Sequence, residues 1–92
     1  MAGLAVTKVV HRCDDAKETN RLDLSGCQLT QVPDAIYLLL KSTPLEVLDI
    51  SSNLVRRIPS KISSKFPHLT ELNLGSNRLT TLPEELQSFS GS

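Results

Sequence analysis

One segment occurs three times in register without gaps: TNRLDLSGCQLTQVP from Thr19 to Pro33, LEVLDISSNLVRRIP from Leu45 to Pro59, and LTELNLGSNRLTTLP from Leu69 to Pro83. The copies start 26 and then 24 residues apart, at 19, 45 and 69. A unit this short cannot bury an apolar face alone. A fixed period of this length therefore predicts one small unit built three times and stacked on its own copies.

Each position in the unit has a physical reading. Leu22-Asp23-Leu24, Leu48-Asp49-Ile50 and Leu72-Asn73-Leu74 alternate apolar and polar side chains. That is the period of a short strand with one buried face. Leu29, Val55 and Leu79 are expected to turn back into the core, followed by Val32, Ile58 and Leu82. Cys27, Asn53 and Asn77 share one equivalent position. A polar side chain there can satisfy turn backbone that stacking would otherwise leave without a partner. The three form an expected structural ladder, with Cys27 its weaker rung.

These units resemble the leucine-rich-repeat family, whose pattern runs L-x-x-L-x-L-x-x-N/C-x-L, over roughly residues 19–89. The resemblance implies an α/β fold: a right-handed solenoid with a short parallel β-sheet on its concave face and helices or turns on its convex face. The repeats are expected at 19–44, 45–68 and 69–89, with a tail at 90–92. After each conserved-spacing proline comes a convex segment. Pro33-Asp34 suits a helix start, with Ile36, Leu39 and Leu40 on one face. Ile62 and Phe66 are the inward residues of the second segment, and Leu86 and Phe89 of the third.

Residues 1–18 lie outside the repeat. Val6, Val9, Val10 and Cys13 fall on one helical face, so this stretch reads as an N-terminal capping helix for an end that would otherwise be wet. After Phe89 only Ser90-Gly91-Ser92 follow, and they contain no cap. The expectation is either the first part of a longer array or an end that pairs with another copy.

Alternation places three columns on the open face of the sheet: Arg21-Val47-Glu71, Asp23-Asp49-Asn73 and Ser25-Ser51-Gly75, flanked by Asn20, Glu46 and Thr70. Solenoids commonly present such surfaces to partners. The candidate partner-binding residues are therefore Arg21, Asp23, Ser25, Val47, Asp49, Ser51, Glu71 and Asn73. The acid column suits a basic peptide, with Arg21 placed to moderate its charge. Two carboxylates and an amide are too few for a hard cation, so no metal is expected. Leu54 replaces the polar Gln28 and Arg78 of the other copies and reads as an exposed apolar contact.

Ten basic and ten acidic residues give zero formal charge, which disfavours bulk capture of nucleic acid or anionic membrane. Arg56, Arg57, Lys61 and Lys65 read as a solvated basic edge. His11 and His68 lie far apart in the repeat layout, and no nucleophile–base set or phosphate loop is present, so the reading is a non-enzymatic protein-binding scaffold without cofactors. Only two cysteines, Cys13 and Cys27, in unlike settings fit a reduced, cytoplasmic setting better than a disulfide-capped secreted domain.

Overall fold

The computed structural model describes residues 2–87 and 89, with side chains from residue 7 onward. Val6 as a face-forming side chain and the tail at 90–92 lie outside that description. The chain begins with helix α1 (Ala2–Thr19). Three short strands follow: β1 (Arg21–Asp23), β2 (Val47–Asp49) and β3 (Glu71–Asn73). Between them lie α2 (Ala35–Leu39) and α3 (Lys61–Lys65), and a 3-10 turn (Glu84–Leu86) comes after β3.

The strands form one parallel sheet in the order β1-β2-β3. Its register is the sequence repeat itself. Leu22 pairs with Leu48 and Leu48 with Leu72; Asp23 pairs with Asp49 and Asp49 with Asn73. A parallel pair needs a crossover between its strands. Here each crossover is the turn and short helix of one repeat.

Stacking turns each apolar position into a buried row. Leu22, Leu48 and Leu72 form one, Leu24, Ile50 and Leu74 a second, and Ile36, Ile62 and Leu86 a third. All nine belong to a single core cluster. A fully buried Leu or Ile contributes roughly 1.5–3 kcal/mol relative to its exposed state. The rows therefore carry most of the stability of helices too short to stand alone. The rows weaken at the β3 side: Leu29, Val55, Val32 and Ile58 are buried, whereas their equivalents Leu79 and Leu82 are half-buried, as is Phe89.

Helix α1 packs against β1 and α2. Its buried stripe is Val9, Cys13 and Ala16, a spacing of four and then three residues. Val10, expected on that face, is instead 38% exposed. One residue is about 100° of helix rotation, and a stripe centred on Cys13 and completed by the small Ala16 leaves Val10 at its rim. The helix ends where Asn20 takes a left-handed conformation (φ 62), which asparagine tolerates better than most residues. The Asn20 carbonyl then accepts the N–H groups of Glu46 and Val47, tying the helix end to the second repeat.

Candidate functional site

The exposed face of the sheet is built from the odd-numbered strand positions. Arg21, Asp23 and Glu71 are exposed, and Val47, Asp49 and Asn73 are half-buried. Ser25 and Ser51 follow at the strand ends, also half-buried. All eight candidate residues thus lie on or beside one surface.

The acids on it are held in a repeated local geometry. Asp23 Oδ1 accepts the Ser25 N–H at 2.9 Å and the Ser25 hydroxyl at 2.6 Å. Asp49 Oδ1 does the same with Ser51, at 2.9 and 2.6 Å. In the third repeat Asn73 Oδ1 accepts the Gly75 N–H at 3.2 Å. One oxygen of each aspartate is thereby committed to its own turn, and the second takes no part in it.

At Asp23 that second oxygen meets a cation from α1: Arg12 Nη1 lies 3.6 Å from Asp23 Oδ2. The expected moderating cation was Arg21, two residues along the same strand. No ion pair of Arg21 is found among the described residues; the cation on Asp23 is Arg12. Nothing local in the sequence marks Arg12, because its reach depends on how α1 lies against β1. The Ser25 hydroxyl and then the Ser25 N–H hold the Asp23 carboxyl below its ordinary range; burial opposes them, and Arg12 adds the smallest lowering effect. Both partners of this pair are largely solvated, so its worth is small.

Beneath the face lies the ladder. Among the described residues Asn53 is the buried polar residue of the core, 4% exposed. Its Oδ1 accepts the N–H groups of Cys27 and Leu29, each at 3.0 Å. Its Nδ2 donates to the carbonyls of Leu24, Ile50 and Ser51. Asn77 repeats the pattern more sparsely: Oδ1 accepts the Val55 N–H at 3.0 Å, and Nδ2 reaches Ile50, Leu74 and Gly75. Each asparagine therefore reaches back to the preceding repeat. Cys27 makes only a weak local contact, its thiol 3.6 Å from the Ser25 carbonyl.

The basic segment divides. Arg56 and Arg57 are exposed. Lys61 is engaged: its Nζ lies 3.2 Å from Asp34 Oδ1 and 4.8 Å from the centre of the Tyr37 ring. Tyr37 in turn stacks on Phe66, with ring centres 5.6 Å apart. This contact spans repeats one and two on the helix side. The sequence carried no signal for it beyond an inward Phe66. Leu54 is 39% exposed.

Cys13 and Cys27 are buried free thiols. Burial, reinforced by Asp14 and opposed by Lys17, pushes the Cys13 thiol up. Among the described residues, no group of three or more His, Cys, Asp or Glu side chains is arranged to hold a metal ion. No helix among them is long and apolar enough to cross a membrane.

A parallel sheet of strands one repeat apart, a back-reaching asparagine ladder and a polar open face define a leucine-rich-repeat domain, and the chain belongs to the leucine-rich-repeat family. Family models described as leucine-rich repeat match residues 43–91 and 19–39. The chain is 32% identical over 91 residues to the mouse (Mus musculus) leucine-rich repeat-containing protein 20, and 31% identical to its human (Homo sapiens) counterpart. Each match covers 95% of this chain and 50% of the relative, so the chain spans half the length of those proteins. It is also 36% identical over 64 residues to human Toll-like receptor 3, covering 70% of this chain and 6% of the receptor. No solved structure matches significantly.

Proposed function

We propose that this chain is a protein-interaction module that holds a partner on the exposed face of its sheet. Leucine-rich-repeat domains generally serve as protein-interaction modules. The observation that supports this placement is the Asp23–Asp49 pairing, which sets two carboxylates side by side in neighbouring strands, the first of them also met by Arg12. Arg21, Ser25, Val47, Ser51, Glu71 and Asn73 complete the surface. A partner segment bearing lysine or arginine, laid across the strands, fits this charge. Binding rather than catalysis is the role we assign, with no cofactor.

The same reading takes the stack as a right-handed solenoid with the sheet on its concave side. Residues 1–18 are then a cap, and the repeats run 19–44, 45–68 and 69–89. We place the protein in the cytoplasm, where the free thiols Cys13 and Cys27 suit a reducing setting. Capture of partners from cell lysate by the wild type, Asp23→Lys and Asp49→Lys tests the face. Loss of the same captured proteins with both variants, each still folded by circular dichroism, supports it. Retention of every captured protein by both variants sinks it.

A second reading is a structural or self-associating repeat fragment of a longer array, with the β3 end as its interface. Its support is the contrast between half-buried Leu79, Leu82 and Phe89 and the buried equivalents of the first two in the preceding repeats.

A further inference from the structure

Resting on the reading of the sheet face as a partner site, we propose that Arg12 sets its specificity: Arg12 closes Asp23 and leaves Asp49 as the seat for an arginine of the partner. The ligand is then a peptide segment with a guanidinium over β2 and no cation over β1.

Asp23 and Asp49 are the same device built twice. They pair in register in adjacent parallel strands. Each spends Oδ1 on its own turn, accepting a serine N–H at 2.9 Å and the hydroxyl of that serine at 2.6 Å. These bonds fix both carboxyl groups before any ligand arrives, so little side-chain freedom remains to be lost on binding. The two differ in their cation. Arg12 Nη1 stands 3.6 Å from Asp23 Oδ2. Among the described residues no cation pairs with Asp49. On its other side Asp49 pairs with the neutral Asn73. Along the row the seats are therefore occupied, available and uncharged.

The Arg12 contact also shows which chemistry such a seat accepts. A guanidinium reaches the second oxygen of Asp23 while the turn keeps the first. Asp49, with its turn made in the same way, has the same oxygen to give. It is half-buried where Asp23 is exposed. A partly buried seat favours the weakly hydrated guanidinium over the strongly hydrated ammonium of lysine. The wider charge agrees: the exposed acids Glu46 and Glu71 lie on the β2 and β3 side, whereas the β1 side carries Arg12 and Arg21. A partner cation over β1 has to displace Arg12 first. Because the Arg12–Asp23 pair is largely solvated, it biases the choice by about two- to fivefold rather than blocking the seat.

Amide chemical shifts of the 92-residue chain test this by NMR titration with a blocked peptide of alternating arginine and glycine, at low ionic strength where exposed pairs are least screened. The N–H groups of Ser25 and Ser51 bond the two carboxylates and report each seat separately. In the wild type Ser51 is expected to respond at lower peptide concentration than Ser25. Arg12→Gln retains a good helix former. It is expected to lower the Ser25 midpoint by about two- to fivefold and to leave that of Ser51 unchanged. Asn73 already makes this turn in the third repeat, so Asp49→Asn keeps the fold and is expected to abolish the Ser51 response. Equal midpoints in the wild type, or a Ser25 midpoint that Arg12→Gln leaves in place, overturn the role of Arg12 while the face stands as a binding surface. A Ser51 response that survives Asp49→Asn, or that a lysine–glycine peptide reproduces at the same midpoint, overturns the arginine seat. No response at either serine in wild type and Arg12→Gln overturns the proposal together with the reading on which it rests.

Discussion

Asn53 Oδ1 is a single acceptor shared by two donors of the preceding repeat, the N–H groups of Cys27 and Leu29, at 3.0 Å each. The same side chain satisfies three carbonyls through Nδ2. One amide thus completes the hydrogen bonding of a buried turn that has no ladder of its own. Leaving a buried donor or acceptor without its partner costs about 1–3 kcal/mol. Asn53→Ala is accordingly expected to lower the unfolding free energy by at least about 3 kcal/mol, a large share of the stability of a domain this size. Asn77→Ala, which is half-buried and accepts one N–H where Asn53 accepts two, is expected to cost about half as much. Urea unfolding measures both, and an Asn77→Ala loss equal to or above that of Asn53→Ala contradicts the account.

Cys27 stands at the ladder position of the first repeat, and the direction of the ladder explains it. An asparagine reaches back to the repeat before it. Behind repeat one lies α1, whose backbone N–H groups are consumed within the helix. Cys27→Asn, the change that makes the three repeats alike, is expected to destabilise by about 1–3 kcal/mol, because its Oδ1 is buried without a donor. A rise in the urea midpoint for Cys27→Asn would count against the back-reaching ladder.

The repeat register, the buried rows and the ladder position were all legible in the sequence, because each rests on side-chain period and local turn chemistry. The direction of the ladder was not, since a column of equivalent residues reads the same forwards and backwards. Arg12 on Asp23 was equally hidden: strand alternation nominates Arg21, and only the packing of α1 brings the competing cation into place. Val10 failed for a related reason. Apolar residues at helical spacing define a face only to within about one residue's rotation, and the small Ala16 shifted its centre.

The turn after each strand passes through a left-handed residue at one equivalent position: Gly26 (φ 62), Ser52 (φ 58) and Ser76 (φ 56). Glycine adopts this conformation without a Cβ clash, and serine does so at a cost. Ser52→Gly and Ser76→Gly are each expected to leave stability unchanged or raise it by up to about 1 kcal/mol. Gly26→Ala is expected to lower it by about 1 kcal/mol. A Cβ at Gly26 would meet nothing within 4 Å, so that loss reports backbone strain alone. Thermal melts of the three variants check the opposite signs, and a stabilising Gly26→Ala removes the argument.

Tyr37 carries the last test, since it is the one tyrosine of the chain and its ionisation can be followed without interference. Its ring is well used: it stacks on Phe66 and lies under the Lys61 ammonium. Its hydroxyl is buried and has no hydrogen-bond partner among the described residues. Burial, helped by the nearby Asp34 carboxylate, pushes the phenol up to about 12 from an ordinary 10.0. The native state therefore keeps the proton that the unfolded chain gives up first. Stability linked to Tyr37 is fully present below pH 10.0, and it falls as pH rises toward about 12, because the unfolded chain ionises there and the folded one does not. Tyr37→Phe keeps the stacked ring and removes the stranded hydroxyl. It is expected to be neutral or stabilising by up to about 1 kcal/mol near neutral pH and to abolish the alkaline decline. Phenolate absorbance of the wild type, set beside urea unfolding of both proteins across that alkaline range, decides it. Ionisation of folded wild type near pH 10.0, or a Tyr37→Phe chain less stable than wild type at neutral pH, places a partner on that hydroxyl and refutes the assignment.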